Sequence, residues 1–228
     1  MGKLRLFLTA LCITALLSAC AGAPGDADSP DMPGTSSGSS LPAPDYTPLY
    51  ERYTDVSALP GLELDMDSVC VFDDRTLTLE DAVGSEPELL TYNLFYYIAS
   101  AQFDLLMELV GEEDSIQIAM GNEETNFEKG YYCTETTIHK LSVLPAEDLD
   151  RVSGFEKESI LSLINTFDFE EYVVVEAEES WKYNEAYAAE GPQLSDGEKY
   201  MRYYLFAKTA QTPEFKLYEV YWEDFLTE

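Results

Sequence analysis

Residues 21–44 read AGAPGDADSPDMPGTSSGSSLPAP, a run of Gly, Pro, Ser, Ala and Asp with almost nothing to bury. Such a composition cannot offset its own ordering entropy, so residues 20–45 are expected to form a disordered tether. Any fold has to be built from residues 46–228. That length suits one domain with a real core, and neither an internal repeat nor a second linker interrupts it. Within the tether, Gly34-Thr35-Ser36-Ser37-Gly38 matches the Gly-x-Ser-x-Gly pattern of a hydrolase nucleophile elbow. The elbow needs a sharp strand-to-helix turn, and here there is neither strand nor helix, so the match is read as chance.

The segment before the tether has a basic start in Lys3 and Arg5, an apolar run from Leu6 to Leu17, and then Leu17-Ser18-Ala19-Cys20. Charged, apolar and small-residue regions in that order are the parts of a secretory signal, here residues 1–19. An apolar run of about a dozen residues is too short to cross a hydrocarbon core, which takes roughly 20 as helix. The Leu-Ser-Ala-Cys ending resembles the lipobox of bacterial lipoproteins. That resemblance implies a diacylglycerol on the sulfur of Cys20, which would become the first mature residue and hold the protein on the outer side of the cell membrane. Cys12 lies inside the apolar run and leaves with it.

Charge narrows the partners. Lys and Arg total 13 against 44 acidic residues, a formal −31, and removing the leader takes away two more cations and no acid. A surface this acidic repels phosphate backbones, which argues against nucleic acid, and it repels anionic lipid headgroups too, so the anchor and not the domain is expected to hold the membrane. Asp65-x-Asp67 and Gly111-Glu112-Glu113-Asp114 lack the oxygen spacing and the turn glycine of a calcium loop and read as solvated acidic loops.

Local patterns give the elements. Ser85, Pro87 and Glu88 are placed as a capping box opening a helix to about Val110, with Gly111 as its stop and a break near Gln102. An acidic loop comes next, then a strand from Tyr131 to Leu144. Phe155 to Phe167 carries Ile160, Leu163, Ile164 and Phe167 on one helical face. Three further strands are expected over Glu171–Tyr183, Glu198–Thr209 and Phe215–Asp224, with a turn at Ala210–Glu214, and an added edge strand near Val69–Phe72. The class is α+β, with helices packed in the concave face of a bent antiparallel sheet.

That order of elements, with the ending YMRYYLFAKTAQTPEFKLYEVYWEDF (Tyr200 to Phe225) and its Phe215-Lys216-Leu217 succession, resembles the cone-shaped nuclear-transport-factor-two-like superfamily. The resemblance would make residues 77–228 the cone-like domain and 46–76 an N-terminal extension of it. It implies a pocket between the concave sheet face and the first helix. Alternation puts Phe215, Leu217, Glu219 and Tyr221 on one face of the last strand and Met201, Tyr203, Leu205 and Ala207 on one face of its neighbour. If that face is the concave one, Glu219 is a carboxylate among tyrosines with Trp181 near it. The opposite set, Lys216, Tyr218, Val220 and Trp222, is the alternative buried face.

Few groups are left to carry chemistry. Cys70 and Cys133 can close one disulfide in an oxidising compartment, but spacing alone does not decide it. His139 is the one histidine, which removes any two-histidine metal site, and it is read as a surface or paired residue. No phosphate or dinucleotide glycine loop and no His-Glu-x-x-His is present, so no cofactor and no metal is expected. The expected function is a membrane-tethered, non-enzymatic binding module for a small ligand or an envelope protein. The alternative is a pocket enzyme of isomerase or dehydratase type, as the resemblance allows, with Glu219 as base and Tyr203 steadying negative charge.

Overall fold

The computed structural model describes residues 44–190 and 196–227. The signal segment, the Cys20 lipid site, the Gly34–Gly38 match and nearly all of the tether lie outside the described residues. Alternating and continuous apolar runs make six strands: β1 (Val69–Phe72), β2 (Arg75–Leu79), β3 (Cys133–Val143), β4 (Phe169–Tyr183), β5 (Gly197–Thr209) and β6 (Lys216–Tyr221). They form one sheet in sequence order, antiparallel throughout except that β2 and β3 run parallel. A parallel pair needs a long crossover. Here it carries α2 (Glu86–Ser100), α3 (Phe103–Glu108) and α4 (Asp114–Glu128) across one face of the sheet.

The expected α+β class is therefore what the structure shows, with two details the sequence reading did not contain. One is the parallel pair. The other is that helices cover both faces, because β4 and β5 are apolar on both sides. Val173, Val175, Ala177, Tyr204 and Phe206 pack under α2 to α4. Tyr172, Val174, Tyr203, Leu205 and Ala207 pack on the reverse face under α5 (Gly154–Phe167) and α1 (Thr47–Glu51). Runs such as Tyr172-Val173-Val174-Val175 are what a strand covered on both faces looks like.

The helix expected from Ser85 to about Val110 breaks at the expected place, next to Gln102, into α2 and α3. Ala101 takes a left-handed conformation, φ 57°, which ends α2 before α3 restarts. Its start differs from a capping box: the Ser85 side chain makes no cap bond, and the buried Glu88 carboxylate instead accepts from the backbone N–H of Gly84 (2.7 Å) and Val143 (3.2 Å). One carboxylate thus ties the first turn of α2 to the end of β3. The expected acidic loop after Gly111 is mostly helix. Glu113 caps α4 by accepting from the Ile116 N–H at 2.8 Å.

The division between residues 76 and 77 falls inside β2, so the sequence-based boundary cuts a strand. Residues 46–76 are integral to the sheet and its back: β1 pairs with β2, Leu49 of α1 is fully buried, and the Tyr172 hydroxyl donates to the Leu49 carbonyl at 2.7 Å. Among the described residues, no helix is long and apolar enough to cross a membrane.

Candidate functional site

At the end of the sheet where β3 begins and β4 finishes, the crossover helices stand off the strands and leave a cavity of about 300 Å³. Phe95 and Ala99 of α2, Phe103 of α3 and Phe127 of α4 wall one side, and Thr136, Glu179 and Arg202 of the strands wall the other. Both tryptophans of the chain, Trp181 and Trp222, face it. The volume lies at the small end of the range for small-molecule sites, and the mostly aromatic lining with a few polar groups is their usual make-up.

The polar groups converge in an unusual way. Arg202 lies over the rings of Trp181 (4.6 Å) and Trp222 (4.2 Å), and its guanidinium pairs with Glu179 at 3.3 Å. Glu179 is buried and also accepts from the Tyr204 hydroxyl at 2.8 Å. Burial pushes its carboxyl up, against the pull of Arg202 and of the Tyr204 bond. Arg75 lies over the Phe127 ring at 4.6 Å, and its ion partner Asp73, 3.7 Å away, is almost wholly solvent-exposed. Glu123 of α4 completes the set, its carboxyl raised by burial against the pull of Arg202. Three buried donors here have no partner: Arg75 Nη1, Trp181 Nε1 and Arg202 Nε. Buried donors are nearly always bonded, so three orphans among the residues lining one cavity stand out.

Trp181 reaches this position because its cross-strand partner is Gly197. A Cβ on Gly197 would sit inside the van der Waals surface of the indole ring. Gly197→Ala is therefore expected to displace the ring and cost about 1–3 kcal/mol, as overpacking does. A urea melt and a tryptophan emission spectrum both unchanged would refute this.

The residues singled out from the sequence fall in different places. Trp181 lines the cavity, but Glu219, Tyr203 and Tyr221 do not. A register shift at Tyr218 sends Leu217 to the α2–α4 face and leaves Glu219 and Tyr221 on the reverse face with Tyr203. There Tyr203 and Tyr221 pack on the Phe225 ring, and the Tyr221 hydroxyl lies 3.2 Å from Ser159 Oγ of α5. Glu219 is half-buried, accepts from the Val220 N–H at 2.9 Å, and has its carboxyl raised by burial with a smaller contribution from Glu113. The four do not share one pocket: the bulge on β6 turns Glu219 and Tyr221 away, and Tyr203 lies on the β5 face opposite to that of Arg202 and Tyr204.

Cys70 and Cys133 are both free thiols. They sit on β1 and β3 with β2 between, and two strand spacings of about 4.8 Å exceed the roughly 7 Å over which Cα atoms can be bridged. The possible disulfide does not form. Cys70 Sγ instead lies 3.5 Å from the Tyr92 hydroxyl, and Cys133 lines the cavity, where burial pushes its thiol up to about 12.

His139 bridges two neighbours: Nδ1 is 2.7 Å from Glu80 Oε2 and Nε2 is 2.7 Å from Ser180 Oγ. Carboxylate, imidazole and hydroxyl in that order match a nucleophile-activating relay. None of the three lines the cavity, however, and Ser180 Oγ also accepts from the Lys199 N–H at 2.9 Å. His139, Ser180 and Lys199 all lie where strand registers slip, so the line ties bulges of β3, β4 and β5 together.

No protein-family model matches the sequence, and neither a curated protein nor a solved structure matches it. Function has to be argued from the site.

The sequence reading missed Arg75, Glu123, Glu179 and Arg202, and three of them carried a signal. Glu123 occupies the apolar stripe of α4, at helical spacing with Ile116, Met120 and Phe127. Glu179 comes after Val173, Val175 and Ala177 in strand alternation, and Arg202 precedes Tyr204 and Phe206. A charge on an otherwise apolar face was the legible cue. Arg75, next to two aspartates in a hairpin turn, offered none.

Proposed function

We propose that this chain is a lipid-anchored extracytoplasmic protein whose sheet-end cavity binds a small ligand without converting it. The observation that carries the reading is the three unpartnered donors on the wall of one aromatic cavity. The anchor is supported by the leader and by Leu17-Ser18-Ala19-Cys20. Binding without catalysis is supported by the position of the one histidine, tied between strands away from the cavity. We carry the resemblance to nuclear-transport-factor-two-like domains within the same proposal; it is supported by helices packed on one sheet face ahead of β3 and by a closing β5–β6 hairpin.

One observation favours a second reading. Glu123 lines the cavity with its carboxyl raised by burial, and a carboxyl raised in a site can donate or accept a proton there, so a proton-transfer enzyme is the competing reading.

Two measurements test the proposal. Cys20→Ser should move the protein from the detergent phase to the aqueous phase on phase partition; retention in detergent would overturn the lipid anchor. A thermal-shift screen of neutral, cationic and anionic molecules under about 300 Da should yield compounds that raise the melting temperature, since a ligand at 100 times its Kd adds about 2.7 kcal/mol. Thr136→Phe, which fills the cavity from its β3 wall, should abolish those shifts. A screen with no shift, or shifts unaffected by Thr136→Phe, would refute binding at this site. Turnover of a compound so identified, lost in Glu123→Gln while binding persists, would favour the second reading.

A further inference from the structure

We propose that the ligand of this cavity is a small organic monoanion, a carboxylate on a flat aromatic body, and that Arg75 takes its charge. The inference rests on the binding reading and names the ligand class.

The charges inside the cavity do not balance. Arg202 is matched by Glu179. Arg75 has no such partner: its side chain is 7 % exposed, whereas Asp73 is 93 % exposed and in contact with water, and Arg75 Nη1 is buried with no acceptor. A guanidinium cannot shed its proton, so this donor stays charged at any working pH. Glu123, the remaining carboxyl on the wall, is raised by burial, and the cation that acts on it is Arg202, not Arg75. One guanidinium without a buried counter-ion is thus enclosed in a chain of formal charge −31, whose surface otherwise repels anions.

A single cation calls for a single negative charge. A carboxylate is planar, and a guanidinium meets it edge to edge through two parallel N–H bonds. A phosphate monoester would bring a second charge with no partner on this wall. The body of the ligand is set by the remaining lining. Phe95, Phe103, Phe127, Tyr183, Tyr187 and Trp222 offer ring faces and edges, and the Arg75 guanidinium itself lies 4.6 Å from the centre of the Phe127 ring. Rings prefer offset or edge contact with rings, so a flat unsaturated body fits better than an aliphatic chain. The volume of about 300 Å³ admits a molecule with one or two rings and no more. Trp181 Nε1 and Arg202 Nε remain as donors for a second acceptor, such as a ring hydroxyl or carbonyl.

The test uses the full chain and its own tryptophans, both of which face the cavity. Benzoate, phenylacetate and indole-3-acetate are titrated beside their uncharged amides and beside phenyl phosphate, with tryptophan fluorescence as readout. The expected result is saturable binding of the carboxylates at least roughly tenfold tighter than of the amides, with phenyl phosphate weaker than benzoate. Arg75→Met should weaken the carboxylates by roughly 10- to 100-fold, the usual worth of a charged hydrogen bond, and leave the amides unchanged. Arg75→Lys keeps the charge without the fork and should retain an intermediate affinity, which keeps the test open if Arg75→Met fails to fold. Amides that bind as tightly as carboxylates, carboxylate binding unmoved in the Arg75 variants, phenyl phosphate binding tightest, or no aryl compound binding at all would each overturn the anion assignment. The broader binding reading would still be decided separately, by the Thr136→Phe thermal-shift comparison.

Discussion

Arg202→Met is expected to lower stability at pH 7 by about 3–5 kcal/mol, the usual cost of removing one partner from a buried ion pair. The cause is Glu179, which is 2 % exposed and would keep only the Tyr204 hydroxyl as a partner. Methionine still fills the space between the Trp181 and Trp222 rings, so lost packing is the smaller part. The pH dependence separates charge from packing. Burial already raises the Glu179 carboxyl, and without Arg202 it rises further. A carboxyl raised in the folded state binds protons that the unfolded chain releases, so stability falls as pH climbs from the ordinary carboxyl value of about 4.5 toward the raised one. The variant's deficit should therefore be large at pH 7 and shrink toward pH 4.5, and adding Glu179→Gln should recover much of it at pH 7. Urea melts at several pH values measure this. A deficit independent of pH would show that the loss is packing alone.

Phe206→Ala should cost about 3–5 kcal/mol, by the transfer and cavity terms of a fully buried phenylalanine. Phe206 is 0 % exposed, on β5 between the sheet and the crossover helices. Phe155, in the first turn of α5, is 78 % exposed, and Phe155→Ala should stay within about 0.5 kcal/mol. The two substitutions delete the same atoms, so their difference measures burial. Set against the 5–15 kcal/mol of a typical domain, the first removes a large fraction of the total. Equal midpoints in urea would contradict the assignment of the core.

Much of the fold was legible where apolar spacing was regular and long. α5 and β3 to β5 lie within a few residues of their sequence-based bounds, because runs such as Tyr203-Tyr204-Leu205-Phe206-Ala207 admit few other structures. α4 was not seen, since its stripe of Ile116, Met120 and Phe127 is interrupted by Glu123 and only Ile116 of it is buried. β2 was missed because five residues at an unrecognised hairpin are too short to show a period. The site was harder still. Its wall is defined by which strand face points where, and one extra residue at Tyr218 reverses that facing on β6. No local pattern marks such a bulge, so Glu219 and Tyr221 were assigned to a pocket from which the sheet itself separates them. Trp181 does line the cavity, but Glu219, expected beside it, does not, and the residues that line it with Trp181 went unnamed.

The close seating of the Trp181 ring on Gly197 also governs how this sequence can drift. Position 197 is closed to every side chain while the indole is present, and it opens only if position 181 first becomes small. Substitutions there must arrive in order. Among descendants of this chain, glycine at 197 should persist wherever tryptophan holds 181, and side chains should enter 197 only in lineages that have already lost the ring and with it one wall of the cavity.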